Sequence, residues 1–182
     1  MVQYGNAHGR EGPVAFVGVG SNIDPEDNVR AGLEALARRA SIVAVSTFYR
    51  TRPVGATGSA DFYNGVVELR LPGGRPAVLG VLTQVEDLLA RRRTADANAP
   101  RTIDLDLLLI LGDDGRPGKG EKVHPDVEER AFVALPLLEL AGDLTLPGSG
   151  RRLSDVARGF EDPPGTPLPE FTNALKVGLR RV

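Results

Sequence analysis

The 182-residue sequence has no cysteine and no tryptophan, a single methionine and only two histidines. Without cysteine there is no disulfide framework, no thiolate metal site and no cysteine nucleophile. His8 and His124 are too few for a zinc ligand set or a convincing Ser-His-Asp arrangement. A formal net charge of -2 gives no overall attraction to nucleic acid or an anionic membrane, so any basic site has to be local. Aromatic residues make up 5% of the chain, which argues against a base-stacking surface. Apolar runs are short as well: none approaches the ~20 residues of a membrane span. The first of them, "PVAFVGVG", is too glycine-rich for a signal peptide and has no basic lead-in. The expectation is a soluble cytoplasmic protein.

What is present reads as one domain, since a chain of this length buries about 70% of its unfolded surface. Residues 1–12 suggest a loose arm, 13–147 the folded domain and 148–182 a C-terminal extension. "VAFVGVG" (14–20) is a β-branched strand. It leads to Asp24 as a cap and Pro25 at the first helical position, and Val29, Leu33, Leu36 and Ala40 then form an inward stripe. "SIVAVSTFYR" (41–50) and "FYNGVVELRL" (62–71) are two further strands. Val78, Leu79, Leu82, Val85, Leu88 and Leu89 mark a second amphipathic helix, ending in "ARRR". The strand "IDLDLLLI" follows, then a short helix in 130–142, interrupted or started near Pro136. Past Pro147 the chain turns to glycine, proline and charge, and "EDPPGTPLPEF" reads as linker. The order β-α-β-β-α-β fits a ferredoxin-like α/β (α+β) core, an antiparallel sheet with helices on one face plus a C-terminal helix.

"PRTIDLDLLLI" (100–110) carries the chemistry. Alternation puts Asp104, Asp106, Leu108 and Ile110 on one face, and Ile103, Leu105, Leu107 and Leu109 on a core face. Strand rise separates the two carboxylates by about 6 to 7 Å. Their repulsion is roughly 0.6 kcal/mol in water and about 2.5 kcal/mol at an effective dielectric near 20. A solvated strand end would tolerate that, but a cation between them explains two aspartates beside a core strand more economically. Oxygen donors alone select a hard ion, and Mg²⁺ shared with phosphate oxygens fits best. Just upstream, Arg91, Arg92, Arg93 and Arg101 read alone as a solvated basic loop. Beside a metal-carboxylate pair they become candidates for neutralising phosphate.

Two phosphate-binding motifs fail. "GVGSN" lacks the third glycine of a dinucleotide fingerprint, because Ile23 stands there, and in "GRPGKG" Lys119 is followed by glycine with no strand leading in. Gly20 and Asn22 could instead let backbone and amide approach a planar ligand, although a plain turn is equally compatible.

Taken in order, "GVGSN", "FYRTRPVG", "DFYN", "PRTIDLDLLL", "VHPD" and "RAFVALPLLEL" resemble the 6-hydroxymethyl-7,8-dihydropterin pyrophosphokinase family of folate biosynthesis. The resemblance implies a ferredoxin-like fold and Mg²⁺-dependent transfer of the β,γ-diphosphate of ATP to the pterin hydroxymethyl group, with release of AMP. It also implies that Asp104 and Asp106 hold two Mg²⁺ ions. Arg91 and Arg101 would bind phosphate and stabilise developing charge, with Arg93, His124 and Arg130 on the ATP side. Phe62 and Phe132 would sandwich the pterin, Asn64 would bond its polar edge, and Thr51 and Val54 would line the pocket beside Gly20 and Asn22. The implied partners are small molecules only, with no nucleic acid and no membrane; a monomer is expected and a dimer stays open. The chain departs from the family pattern in reading "ANAP" (97–100) where the family usually has "RWGP", and in having Arg52 where an apolar residue or proline is common. A binding-only relative that lost turnover, and a nucleic-acid module using the 91–101 arginines, are the rival readings.

Overall fold

The computed structural model describes residues 12–53, 60–89, 101–118, 120–161 and 164–180. Among these no helix is long and apolar enough to cross a membrane. The expected arm lies outside the described residues except for Gly12.

The elements run β1 (Val14–Ser21), α1 (Pro25–Ala37), β2 (Ser41–Val45), β3 (Tyr49–Thr51), β4 (Phe62–Arg70), α2 (Gly74–Leu88) and β5 (Asp104–Leu111). Then follow α3 (Asp126–Glu129), α4 (Ala131–Ala141), α5 (Leu153–Arg158), β6 (Thr166–Pro167) and α6 (Pro169–Leu179). The sheet is antiparallel in the order β5-β1-β4-β3-β6, with β2 also pairing β4. The expected βαββαβ core is therefore present. Its second strand is split because Ser46 breaks the ladder: Val66 N–H donates to the Ser46 hydroxyl, 2.8 Å away, in place of a backbone carbonyl.

One face of the sheet packs Val17 and Val19 against Val29, Leu33 and Leu36 of α1 and Val78, Leu82 and Val85 of α2. The other packs Val14, Phe16 and Val66 against Val127 of α3, Val133, Ala134 and Leu137 of α4, and Leu153 and Val156 of α5. The expected one-sided helical layer holds for α1 and α2, while α3, α4 and α5 cover the other face as an addition to the ferredoxin-like core.

Local expectations are corrected at five places. Asp24 occupies the cap position of α1, but in a left-handed conformation and without a side-chain bond; Asn28 ties down that turn instead, its Nδ2 donating to Ile23 O at 2.6 Å. The helix α2 begins earlier than its apolar stripe, and Leu79 and Leu88 are exposed, at 45% and 59%. The helix α4 runs unbroken through Pro136. Strict alternation along β5 fails at a bulge, where Phe16 faces Leu109 while Val17 faces Leu107, so Leu108 is the extra residue. The aspartate face therefore ends at Leu108, and beyond it Leu109 joins the α4 side and Ile110 the α1 side. Finally, the stretch past Pro147 forms α5, β6 and α6, and α6 buries Phe171, Leu175 and Leu179 in the core. Glycine and proline dominate its connections, while the helix itself carries a regular apolar stripe.

Candidate active site

The strand β1 runs between β4 and β5, and two of its glycines shape the site. Gly18 faces Asp106 on one side and Val66 on the other; Gly20 faces Asp104 and Asn64. With no side chains at these two positions, the face between the carboxylates and Asn64 is left as a trough. A cleft of about 340 Å³ opens over it. Asp104 and Asp106 from β5 and Phe62 and Asn64 from β4 line it, joined by Thr51, Arg52 and Pro53 after β3. The α3–α4 side closes it with Asp126, Arg130, Phe132 and Val133.

Asn64 is pre-set. Its Nδ2 donates to the Thr51 hydroxyl at 2.7 Å, and its Oδ1 lies 2.7 Å from where a Cβ on Gly20 would stand. Only glycine at position 20 leaves Asn64 this orientation.

Arg101 pairs with the Asp104 carboxylate, and its guanidinium carbon lies 5.9 Å from the Phe62 ring centroid. Its backbone is fixed from the end of β1: Arg101 N–H donates to Asn22 Oδ1 at 2.8 Å, and Asn22 N–H donates to Arg101 O at 3.2 Å. The Ser21 hydroxyl bonds Thr102 O at 2.6 Å. Asn22 is itself buried and does not line the cleft, so it meets Arg101 rather than the open space.

On the outer edge of β5, Leu105 N–H, between the two aspartates, donates to the buried Glu86 carboxylate of α2 at 2.9 Å. Here lies a second depression of about 300 Å³, lined by Arg75, Leu79, Thr83, Glu86, Leu107 and His124. Asp106 lines both depressions. This accounts for the exposed Leu79, which gives the second depression an apolar wall. His124 is absent from the first cleft; its Nδ1 accepts the Asp126 N–H at 3.3 Å, and Asp126 faces Arg130 at 3.9 Å.

Among the described residues no three His, Cys, Asp or Glu form a group able to enclose a metal. A perturbed carboxyl alone does not mark the site: burial pushes Glu68 above the ordinary range, partly offset by Arg70, yet Glu68 lies outside the cleft.

Of the sequence candidates, the cleft brings together Gly20, Thr51, Phe62, Asn64, Arg101, Asp104, Asp106, Arg130 and Phe132. Arg91, Arg93 and Val54 lie outside the described residues, as does "ANAP". Sequence reasoning missed Gly18, Asp126 and Glu86. Gly18 was legible, standing two residues before Gly20 on the same strand face; Glu86 sits on a helix where burial of a charge has no one-dimensional signal.

Residues 16–142 match the family model described as 7,8-dihydro-6-hydroxymethylpterin-pyrophosphokinase. Three curated relatives bear the name 2-amino-4-hydroxy-6-hydroxymethyldihydropteridine pyrophosphokinase. The Pseudomonas aeruginosa protein is 36% identical over 82% of this chain and 96% of its own length. The Haemophilus influenzae protein is 30% identical over 81% and 93%, and that of Methylorubrum extorquens 37% identical over 74% and 86%. With the family model spanning well over half of its residues and such relatives matching nearly end to end, the chain belongs to the 7,8-dihydro-6-hydroxymethylpterin-pyrophosphokinase family.

Proposed function

We propose that this protein transfers the β,γ-diphosphate of ATP to the hydroxymethyl group of 6-hydroxymethyl-7,8-dihydropterin in folate synthesis. The pterin hydroxyl oxygen attacks the β-phosphorus, the bond from that phosphorus to the oxygen of the α-phosphate breaks, and AMP leaves. The observation that carries this reading is Asp106, which borders both depressions and so stands where two bound substrates would meet.

The larger cleft suits the pterin. Phe62 and Phe132 offer ring faces, Asn64 held by Thr51 offers an amide to the polar edge, and the Gly18–Gly20 trough gives a flat ring access to the sheet. The second depression suits the nucleotide, with Leu79 as an apolar wall for the base and Arg75 and His124 on its rim. Two carboxylates offering oxygen donors suit Mg²⁺, which keeps phosphate oxygens and water in its shell; when bound it neutralises charge on the transferring diphosphate. Asp104 and Asp106 would hold it as two ions. Arg101 and Arg130, with Arg91 and Arg93 upstream, would orient the phosphates as planar donors, and no nucleophilic side chain is required. The small soluble substrates fit a cytoplasmic enzyme.

Purified protein with ATP, Mg²⁺ and the pterin is expected to form AMP and pterin diphosphate in equal amounts. Formation of ADP, or binding of both substrates without AMP, would overturn the proposed activity. Gly20→Ala tests the pterin side. Its extended backbone accepts alanine, but the new methyl displaces Asn64, so the KM for pterin should rise about tenfold while that for ATP stays within about twofold. Equal shifts in both constants would remove Asn64 from pterin binding.

A further inference from the structure

The family model ends at residue 142, yet the chain continues through β6 and α6, which fold back onto the sheet. Three contacts converge there on β3, only three residues long and otherwise held by β4 alone. First, β6 pairs with it, Tyr49 facing Pro167 and Arg50 facing Thr166. The approach is close enough that a Cβ on Gly165, at φ +128°, would stand 2.4 Å from Arg50 O. Second, both backbone groups of buried Phe48, just before β3, are taken by this segment: Leu168 N–H donates to Phe48 O at 2.8 Å, and Phe48 N–H to the Thr172 hydroxyl at 3.0 Å. Third, Phe171 packs edge-on against Phe48 and Tyr63, with centroids 5.6 and 5.2 Å away.

These contacts lie behind the strands that line one half of the cleft. Thr51, Arg52 and Pro53 continue directly from β3 and line it, and Thr51 sets Asn64. Tyr63 stands between Phe62 and Asn64 in β4. The carboxylates and the second depression belong to β5, at the opposite edge of the sheet.

We propose that the segment β6–α6 is a positioning brace for the pterin half of the site, with Thr172 and Phe171 acting through Phe48 and Tyr63 on Thr51, Asn64 and Phe62. The inference rests on the pterin reading of the cleft. It differs from a merely structural role because a brace on β3 moves one substrate's affinity and leaves the other's in place.

The decisive comparison is Thr172→Val against Thr172→Ser in the full chain. Valine keeps the volume and removes the acceptor for Phe48 N–H; serine restores it. Pterin and an ATP analogue are titrated separately by calorimetry with Mg²⁺ present, and melting temperature is recorded. Thr172→Val should weaken pterin binding roughly tenfold with ATP-analogue affinity within about twofold, and Thr172→Ser should return it to wild type. Phe171→Leu should give the same selective loss. Equal losses for both ligands, or a lowered melting temperature with unchanged pterin affinity, would overturn the brace. A wild-type chain that fails to bind pterin would overturn the pterin reading and the brace together, a result distinguishable because it appears before any substitution.

Discussion

Asp106→Asn is expected to lower kcat/KM by about 1000-fold or more with the fold intact, and Asp104→Asn to do so with an additional loss of order around Arg101. Each change removes one charge with almost no change in volume. A metal holding developing charge is worth several kcal/mol, and ~1.4 kcal/mol is a tenfold change in rate. Melting temperature should move little at position 106, where the near-isosteric change leaves the packing as it was. At position 104 the loss of the Arg101 partnership, a pair whose side chains are both mostly buried, adds a cost in stability. Mg²⁺ titration of turnover separates the two variants. Both should need more Mg²⁺, but only Asp104→Asn should also alter the salt dependence contributed by Arg101. Either variant retaining kcat/KM within about threefold of wild type, at any Mg²⁺ concentration, would sink the two-carboxylate reading.

Alternation alone was enough to bring Asp104 and Asp106 to one side of β5, because a two-residue period is set by the backbone itself. The same rule misassigned Leu109 and Ile110, since the bulge at Leu108 arises from pairing with β1, which no single strand announces. The amphipathic stripe of α2 was legible, but Leu79, counted in it, is exposed. Its apolar side chain is exposed because β5 is an edge strand there and leaves a depression beside it. The largest miss was the C-terminal segment. Glycine and proline in "EDPPGTPLPEF" are turn chemistry, and they lead through β6 into a helix whose Phe171, the last residue of the quoted stretch, recurs with Leu175 and Leu179 beyond it at helical spacing. Asn22 shows the limit for polar residues: a turn or an approach to a ligand were equally compatible with its position, and only tertiary structure shows its Oδ1 accepting from the Arg101 backbone.

That last difference leads to a coupling experiment. Arg101→Ala should cost about 100- to 1000-fold in kcat/KM, the loss typical of removing one preorganised donor from developing charge. Arg101→Lys should recover only part of it, because an ammonium lacks the planar two-point geometry. Asn22→Ala leaves Arg101 N–H without its side-chain acceptor and should cost about tenfold, with a stability loss of roughly 1 to 3 kcal/mol for the stranded donor. Activity is therefore compared well below the melting transition of each variant. If Asn22 works through Arg101, its removal in the Arg101→Ala background costs no further activity, since residues in one network do not add. Fully additive losses would mean that the Asn22 amide acts on the substrate independently, as its sequence position first suggested. The double variant thus decides between a residue that holds Arg101 in place and one that reads the ligand itself.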